Sequence, residues 1–329
     1  MKACYCLDRA SFDSIYPPTV RAQIARRVDV VEPVLDHAHW RQASAEARAA
    51  EVLLSGWGMP PLDADFLAQF PNLRLVLYGA GSIRGFVTPE SWGRGVRVVS
   101  AAAVNGECVA EFVLGQVLVS LKQVWRTSRA FRESGDNGSQ SGITGNYGAT
   151  VGLISLGVIG RRVAQHLRSF HHHVIAYDPF TRPEDAAPLG VTLVGLDEVF
   201  RAADVVSLHT PLLPETVGMI RRAHFDQMRP GATFINTARG AIIHEAEMAA
   251  FLADRPDVTA LLDVTDPEPP APDSPLRHLG NVWRTPHVAG CLGPECGRMG
   301  QLMADELARY RAGAPLAHEV TAEAARTRA

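Results

Sequence analysis

Three side chains in the second half of the chain carry the types that carbonyl reduction needs. Arg239 lies in Ile235-Asn236-Thr237-Ala238-Arg239-Gly240. Glu268 lies in Leu262-Asp263-Val264-Thr265-Asp266-Pro267-Glu268-Pro269, and His287 in Thr285-Pro286-His287-Val288-Ala289-Gly290. A planar guanidinium can hold a carboxylate in two-pronged fashion and polarise the carbonyl beside it. An imidazole titrates near neutrality and can deliver or take the hydroxyl proton. A carboxylate next to that imidazole orients it and favours its protonated form. Taken singly, Arg239 reads as a surface ion-pair partner, Glu268 as a solvated loop acid and His287 as a structural histidine. Together, each behind an apolar strand-like run, they read as a site for transfer between a ketone and an alcohol.

Such a reaction needs a hydride carrier, and one motif supplies a seat for it. Val151-Gly152-Leu153-Ile154-Ser155-Leu156-Gly157-Val158-Ile159-Gly160 runs from a strand through a tight turn into a helix. This arrangement lets the backbone approach a pyrophosphate at a helix N-terminus. Ser155 stands where the usual fingerprint has its first glycine, while Gly157 and Gly160 keep the close-approach and packing positions. The next run, Val174-Ile175-Ala176-Tyr177, ends in Asp178, about 20 residues on, where a carboxylate would accept the ribose hydroxyls and repel a 2′-phosphate. NAD is therefore expected rather than NADP. Ser155, Gly157, Val158, Ile159, Gly160 and Asp178 are expected to contact it, together with Thr237, Ala238 and Gly290.

Short apolar runs alternate with helical patterns nearly throughout. They include 74–78, 151–154, 174–177, 204–208, 233–236 and 260–262. Runs of this kind suit parallel strands buried on both faces, so the class is α/β with doubly wound sheets. A single long helix is expected from Glu107 to about Arg132, capped by Asn105. The polar, Gly-rich stretch 133–142 follows as a loop. The His171-His172-His173 triplet reads as a surface turn.

The 329 residues suggest two domains, and 47% hydrophobic with 20% charged residues is a globular composition. A net charge of −3 without a basic block argues against nucleic-acid or membrane capture. No apolar run reads as long enough to span a bilayer, and no leader is apparent at Met1. Five scattered cysteines form no CxxC pair, so neither a metal site nor a disulfide framework is expected. The chain reads as cytoplasmic.

These segments together resemble the D-2-hydroxyacid dehydrogenase family. The likeness extends to Pro61-Leu62-Asp63, Pro71-Asn72-Leu73-Arg74-Leu75-Val76, Val109-Ala110-Glu111-Phe112 and Ser207-Leu208-His209-Thr210-Pro211-Leu212. The resemblance implies that Arg239, Glu268 and His287 are catalytic, that Asp263 lies near the nicotinamide and that Thr210 and Pro211 line the adenine side. It implies a Rossmann-type NAD domain, residues 104–289, inserted in a flavodoxin-like substrate domain of residues 1–103 and 290–329. The site would lie in a cleft between them, hinged by the helix from Glu107 and a last helix near Pro294 to Gly313, and the assembly would be a homodimer. In Tyr78-Gly79-Ala80-Gly81-Ser82-Ile83-Arg84-Gly85, Gly81 and Ser82 would hold the substrate carboxylate. Arg84, where relatives carry an acid or amide, would either recognise a second anionic group on the substrate or face solvent or an acid such as Glu90. A non-catalytic NAD-sensing scaffold shares the fold, as do formate- and phosphite-type dehydrogenases, and Glu268 argues against the formate type.

Overall fold

The computed structural model describes residues 1–135, 140 and 142–327. Part of the expected 133–142 loop (Asp136–Ser139 and Ser141) lies outside the described residues, as do Arg328 and Ala329. The strands come in chain order as follows. β1 (Lys2–Cys6), β2 (Asp29–Leu35), β3 (Val52–Ser55), β4 (Leu75–Tyr78) and β5 (Arg97–Ser100) open the chain. β6 (Thr150–Ile154), β7 (His173–Tyr177), β8 (Val191–Leu193), β9 (Val205–Leu208), β10 (Thr233–Asn236), β11 (Thr259–Leu262) and β12 (Val282–Arg284) follow, and β13 (Glu319–Val320) closes it.

The chain divides into two compact units, residues 1–106 with 291–329, and residues 107–290. In the first, the strand order is β13-β5-β4-β3-β1-β2, parallel except for β13, which pairs antiparallel to β5. This is a flavodoxin-like order with one added edge strand. Residues in β3 and β4 are all buried, as the apolar runs require of central parallel strands. β2 carries Pro33 and is buried only in part, which fits its place at the edge.

In the second unit the order is β12-β11-β10-β9-β6-β7-β8, all parallel. The chain winds outward from β6 through β7 to β8, returns to β9 and winds the other way. A crevice therefore opens beyond the carboxyl ends of β6 and β9, the ligand position of doubly wound sheets. Register makes that edge level. Ile154 pairs with Tyr177 and Leu208, Leu208 with Asn236, Asn236 with Leu262, and Leu262 with Arg284. Six of the seven strands stop on this row, β8 ending one residue short with Leu193 opposite Ala176, so the residues that follow the six begin on one rim.

The long helix differs from expectation. It starts earlier and is broken into α1 (Ala102–Leu121) and α2 (Val124–Ser134). Between them Gln123 adopts a left-handed φ of 49°, and its side-chain amide donates to the carbonyls of Gly142 (3.1 Å) and Gly231 (3.4 Å). Those tertiary bonds compensate for the interrupted helix. Asn105 is inside α1 rather than its cap. By length and a mean hydropathy of 1.4, α1 also passes as long and apolar enough to cross a bilayer, contrary to the sequence reading. It instead lays Val109, Ala110, Val113 and Val117 into the core of the second unit. The turn of Gly157 leads into α3 (Val158–Leu167), and the last long helix, α4, spans Cys296–Arg311. His173 opens β7, and His172 stacks on Phe170 at 5.5 Å; burial lowers its pKa. The turn through His171 is exposed and so is His173, as expected, and only His172 is partly buried.

Candidate active site

The level rim puts Ser155, Asp178, His209, Thr237, Asp263 and Thr285 each one residue beyond a strand end. Asp263 does the most there. It is 3% exposed, and both oxygens are taken. Oδ1 accepts the Thr285 hydroxyl (2.6 Å) and the Val288 N–H (2.8 Å), and Oδ2 accepts the Ala289 N–H (2.9 Å). The backbone N–H of His287 donates to the Asp263 carbonyl at 3.1 Å. This carboxylate thus winds the loop 285–289 around itself, holding His287 at a left-handed φ of 56°. In this structure Asp263 acts on the site through that loop.

The His287 ring is half-exposed, and its Nδ1 lies 2.7 Å from Glu268 Oε1. That bond sets the tautomer and leaves Nε2 as the outward nitrogen for proton exchange. Glu268 arrives on the loop after β11, which packs against the loop after β10 with no room between. A Cβ on Gly240 would stand 2.1 Å from the Thr265 carbonyl carbon. Arg239, one residue earlier, is half-buried, and its guanidinium donates to the Ala238 carbonyl at 2.6 Å. The Asn236 side chain ties the turn from both sides, donating to the Arg239 carbonyl (3.1 Å) and accepting from Ala238 N–H (2.9 Å).

At the other end of the rim, Ser155 has a φ of 78°, the left-handed conformation its glycine counterpart adopts freely. Its hydroxyl is 2.9 Å from that of Thr210. A Cβ on Gly160 would meet the Ser155 carbonyl oxygen at 2.1 Å, so only glycine lets α3 start this close to the strand. Gly157 and Val158 are exposed at the N-terminus of α3. Asp178 accepts from the N–H groups of Leu156 (2.7 Å), Phe180 (2.8 Å) and Thr181 (2.8 Å), joining the glycine turn to the end of β7. The Pro211 carbonyl accepts the Thr216 hydroxyl at 2.7 Å.

The residues fit a dinucleotide. The α3 terminus is open around Gly157 and Gly160 is sterically obligatory, as a pyrophosphate seat requires. Among the described residues, Thr237 Oγ1 and both ring nitrogens of His209 are buried without a hydrogen-bond partner. Unpaired buried polar atoms are costly unless a ligand meets them. His209 was quoted in the sequence only as part of a motif; its burial is what singles it out.

In the first unit, Gly81, Ser82 and Ile83 follow β4. Their backbone N–H groups have no intramolecular acceptor among the described residues, a run of donors suited to an anion. Asn105 faces this run. Its Oδ1 accepts from Cys291 N–H (3.0 Å), and its Nδ2 lies 3.4 Å from where a Cβ on Gly81 would stand. The sequence reading missed this role because Asn105 looked like a cap. Arg84 does something different from either expectation: its Nη2 donates to the carbonyls of Ala325 (2.7 Å) and Arg326 (2.9 Å).

Comparison with known proteins bears on these sites. A family model described as D-isomer specific 2-hydroxyacid dehydrogenase, NAD binding domain, matches residues 114–289. The chain is 34% identical over 252 residues to D-3-phosphoglycerate dehydrogenase of Mycobacterium bovis, covering 77% of this chain and 48% of that one. It is 30% identical over 257 residues to glyoxylate reductase of Korarchaeum cryptofilum, covering 77% of each. The chain spans about half the length of the phosphoglycerate dehydrogenases it matches. The D-mandelate dehydrogenase structure from Rhodotorula graminis superposes with a TM-score of 0.81 over 97% of both chains; at 22% identity this likeness concerns the fold.

One prediction follows from His209. Burial pulls its pKa down from 6.5 to about 4, so the folded chain holds it neutral. The unfolded chain binds the proton more readily, so stability is full above pH 6.5 and is lost as pH falls toward 4. The loss attributable to this ring is on the order of 3 kcal/mol. Urea unfolding of wild type and His209→Asn at pH 7.5 and 5 should show the pH sensitivity shrinking in the variant. An equal fall in both would assign it elsewhere.

Proposed function

The chain belongs to the D-isomer specific 2-hydroxyacid dehydrogenase family, and from that premise we propose that it is an NAD-dependent oxidoreductase interconverting a small 2-oxo acid and its D-2-hydroxy acid. The single observation that supports this most is the 2.7 Å contact of His287 with Glu268. It places an oriented imidazole on the same sheet edge as the cofactor turn.

When bound, NADH supplies the hydride to the carbonyl carbon. The rest falls to the chain. The Arg239 guanidinium holds the substrate carboxylate and polarises the adjacent carbonyl. His287 gives the Nε2 proton to the carbonyl oxygen as it becomes an alcohol, and takes it back in the oxidative direction. Glu268 keeps Nδ1 protonated and stabilises the charged ring. The free amides of Gly81–Ile83 and the Asn105 amide group are further donors to the substrate carboxylate. Thr237, Ala238, Asp263 and Gly290 lie on the loops of the nicotinamide end, with Thr210 and Pro211 at the adenine end.

His287→Ala should lower kcat by about 10²–10⁴-fold, the usual worth of a general acid. Glu268→Gln keeps the hydrogen bond but removes the charge. It should lower kcat less than His287→Ala does and leave KM for NADH within about twofold. A kcat equal to that of the wild type would break the pairing. An NADH-oxidation screen over a panel of 2-oxo acids tests the activity itself, and its failure across the panel would reject the reading.

NADH should be preferred to NADPH. Asp178, with its carboxylate held by three amides, presents negative charge where a 2′-phosphate would sit. A better kcat/KM with NADPH would show that this site discriminates otherwise.

The five cysteines are all buried thiols rather than disulfides, and a reducing, cytoplasmic setting suits them. A homodimer is supported by α2. None of its residues is buried, and Val124 (41%) and Phe131 (52%) are exposed on it beside the half-buried Trp125. Light scattering at micromolar concentration should give twice the chain mass. A monomer would leave this helix another partner.

A further inference from the structure

The first unit contains a second connection to the anion-binding loop, made from the end of the chain. β13 lies on the edge of β5, with Glu319 opposite Val99 and Val320 opposite Val98. Arg97 at the start of β5 grips Glu319 with two parallel bonds, Nε to Oε1 at 2.7 Å and Nη2 to Oε2 at 2.6 Å. Val320 and Ala325 pack on the core of this unit, as Val87 and Trp92 also do. The short helix Ala324–Thr327 then ends over Arg84, whose guanidinium takes the Ala325 and Arg326 carbonyls.

The loop is thereby held at both ends. At Gly81 the Ser100 hydroxyl donates to the Gly81 carbonyl at 2.5 Å, and the Ala101 N–H donates to Ala80. At Arg84 the hold is the C-terminal segment. Between these two points stand the three free amides of Gly81, Ser82 and Ile83, with the Ile83 side chain buried at 2%. The donors of the loop itself are backbone groups, so its affinity for an anion depends on where its peptide planes lie. A binding loop misplaced by even about 1 Å can lose most of its effect.

We propose that the C-terminal segment, residues 319–326, is a positioning element for the loop Gly81–Ile83, with Arg84 as the positioning residue that joins them. This rests on the reading of that loop as the substrate-carboxylate site. Arg84 acts through the loop and does not touch the substrate. Arg97 and Glu319 act on the same segment from the far end of β5.

The test compares full-length wild type with Arg84→Ala, Arg84→Lys, Glu319→Gln and the double variant Arg84→Ala/Glu319→Gln. Each is assayed on a 2-oxo acid that the wild type reduces, with hydrogen exchange followed over residues 319–327. Arg84→Ala should raise KM for the 2-oxo acid roughly five- to twentyfold. It should leave KM for NADH within about twofold and speed exchange in the segment. Arg84→Lys, which can still donate to a carbonyl, should recover most of the loss. Glu319→Gln should give a smaller rise of the same kind, and the double variant less than the product of the two. A KM rise with exchange unchanged would mean that Arg84 meets the substrate directly, which overturns the proposal. Faster exchange with KM unchanged would also overturn it, making the segment structural only. Failure of the function reading appears separately, as absence of wild-type turnover on every 2-oxo acid.

Discussion

The site hangs on a buried carboxylate. Burying an ionised acid costs several kcal/mol unless hydrogen bonds replace its water. Asp263 recovers that cost from one hydroxyl and two backbone amides of a single loop. The loop has to close around the carboxylate, and the closure holds His287 in a conformation a non-glycine residue seldom adopts. Removing the carboxylate would leave buried N–H groups unpaired and the imidazole without a fixed direction. The ring's contact with Glu268 is a consequence of that arrangement as much as of the attraction between them.

A second constraint is the level sheet edge. In-register parallel strands end together, so loops from distant parts of the sequence start on one line with their donors and acidic groups facing the same crevice. Asp178 and Asp263 repeat one device at two places on this edge. Each uses a carboxylate to shape backbone, one at the glycine turn and one at the histidine loop. Asp178 keeps its charge partly exposed while its oxygens hold the chain, whereas Asp263 buries it.

Much of this was legible in the sequence. The apolar runs at 151–154, 204–208 and 233–236 suited central parallel strands, and the glycine turn and the acid about 20 residues on matched the spacing of a dinucleotide fingerprint. What escaped depended on contacts between distant residues. The break at Gln123 is invisible in the helical pattern because carbonyls at 142 and 231 stabilise it. Asn105 has the type of a cap but is spent on Cys291 and faces Gly81. Arg84 is held by carbonyls some 240 residues further on, which no local reading reveals. The Asp263 loop likewise follows from hydrogen bonds and not from residue type.

The clearance at Gly240 has a further consequence. The turn that presents Arg239 and the loop that presents Glu268 are stacked peptide on peptide, with less than a methyl group's width between them. They therefore form one mechanical part, and variation in either must respect the other. A library that randomises the loop after β11 to retune selectivity would be filtered first by whether it still seats on a bare backbone at position 240.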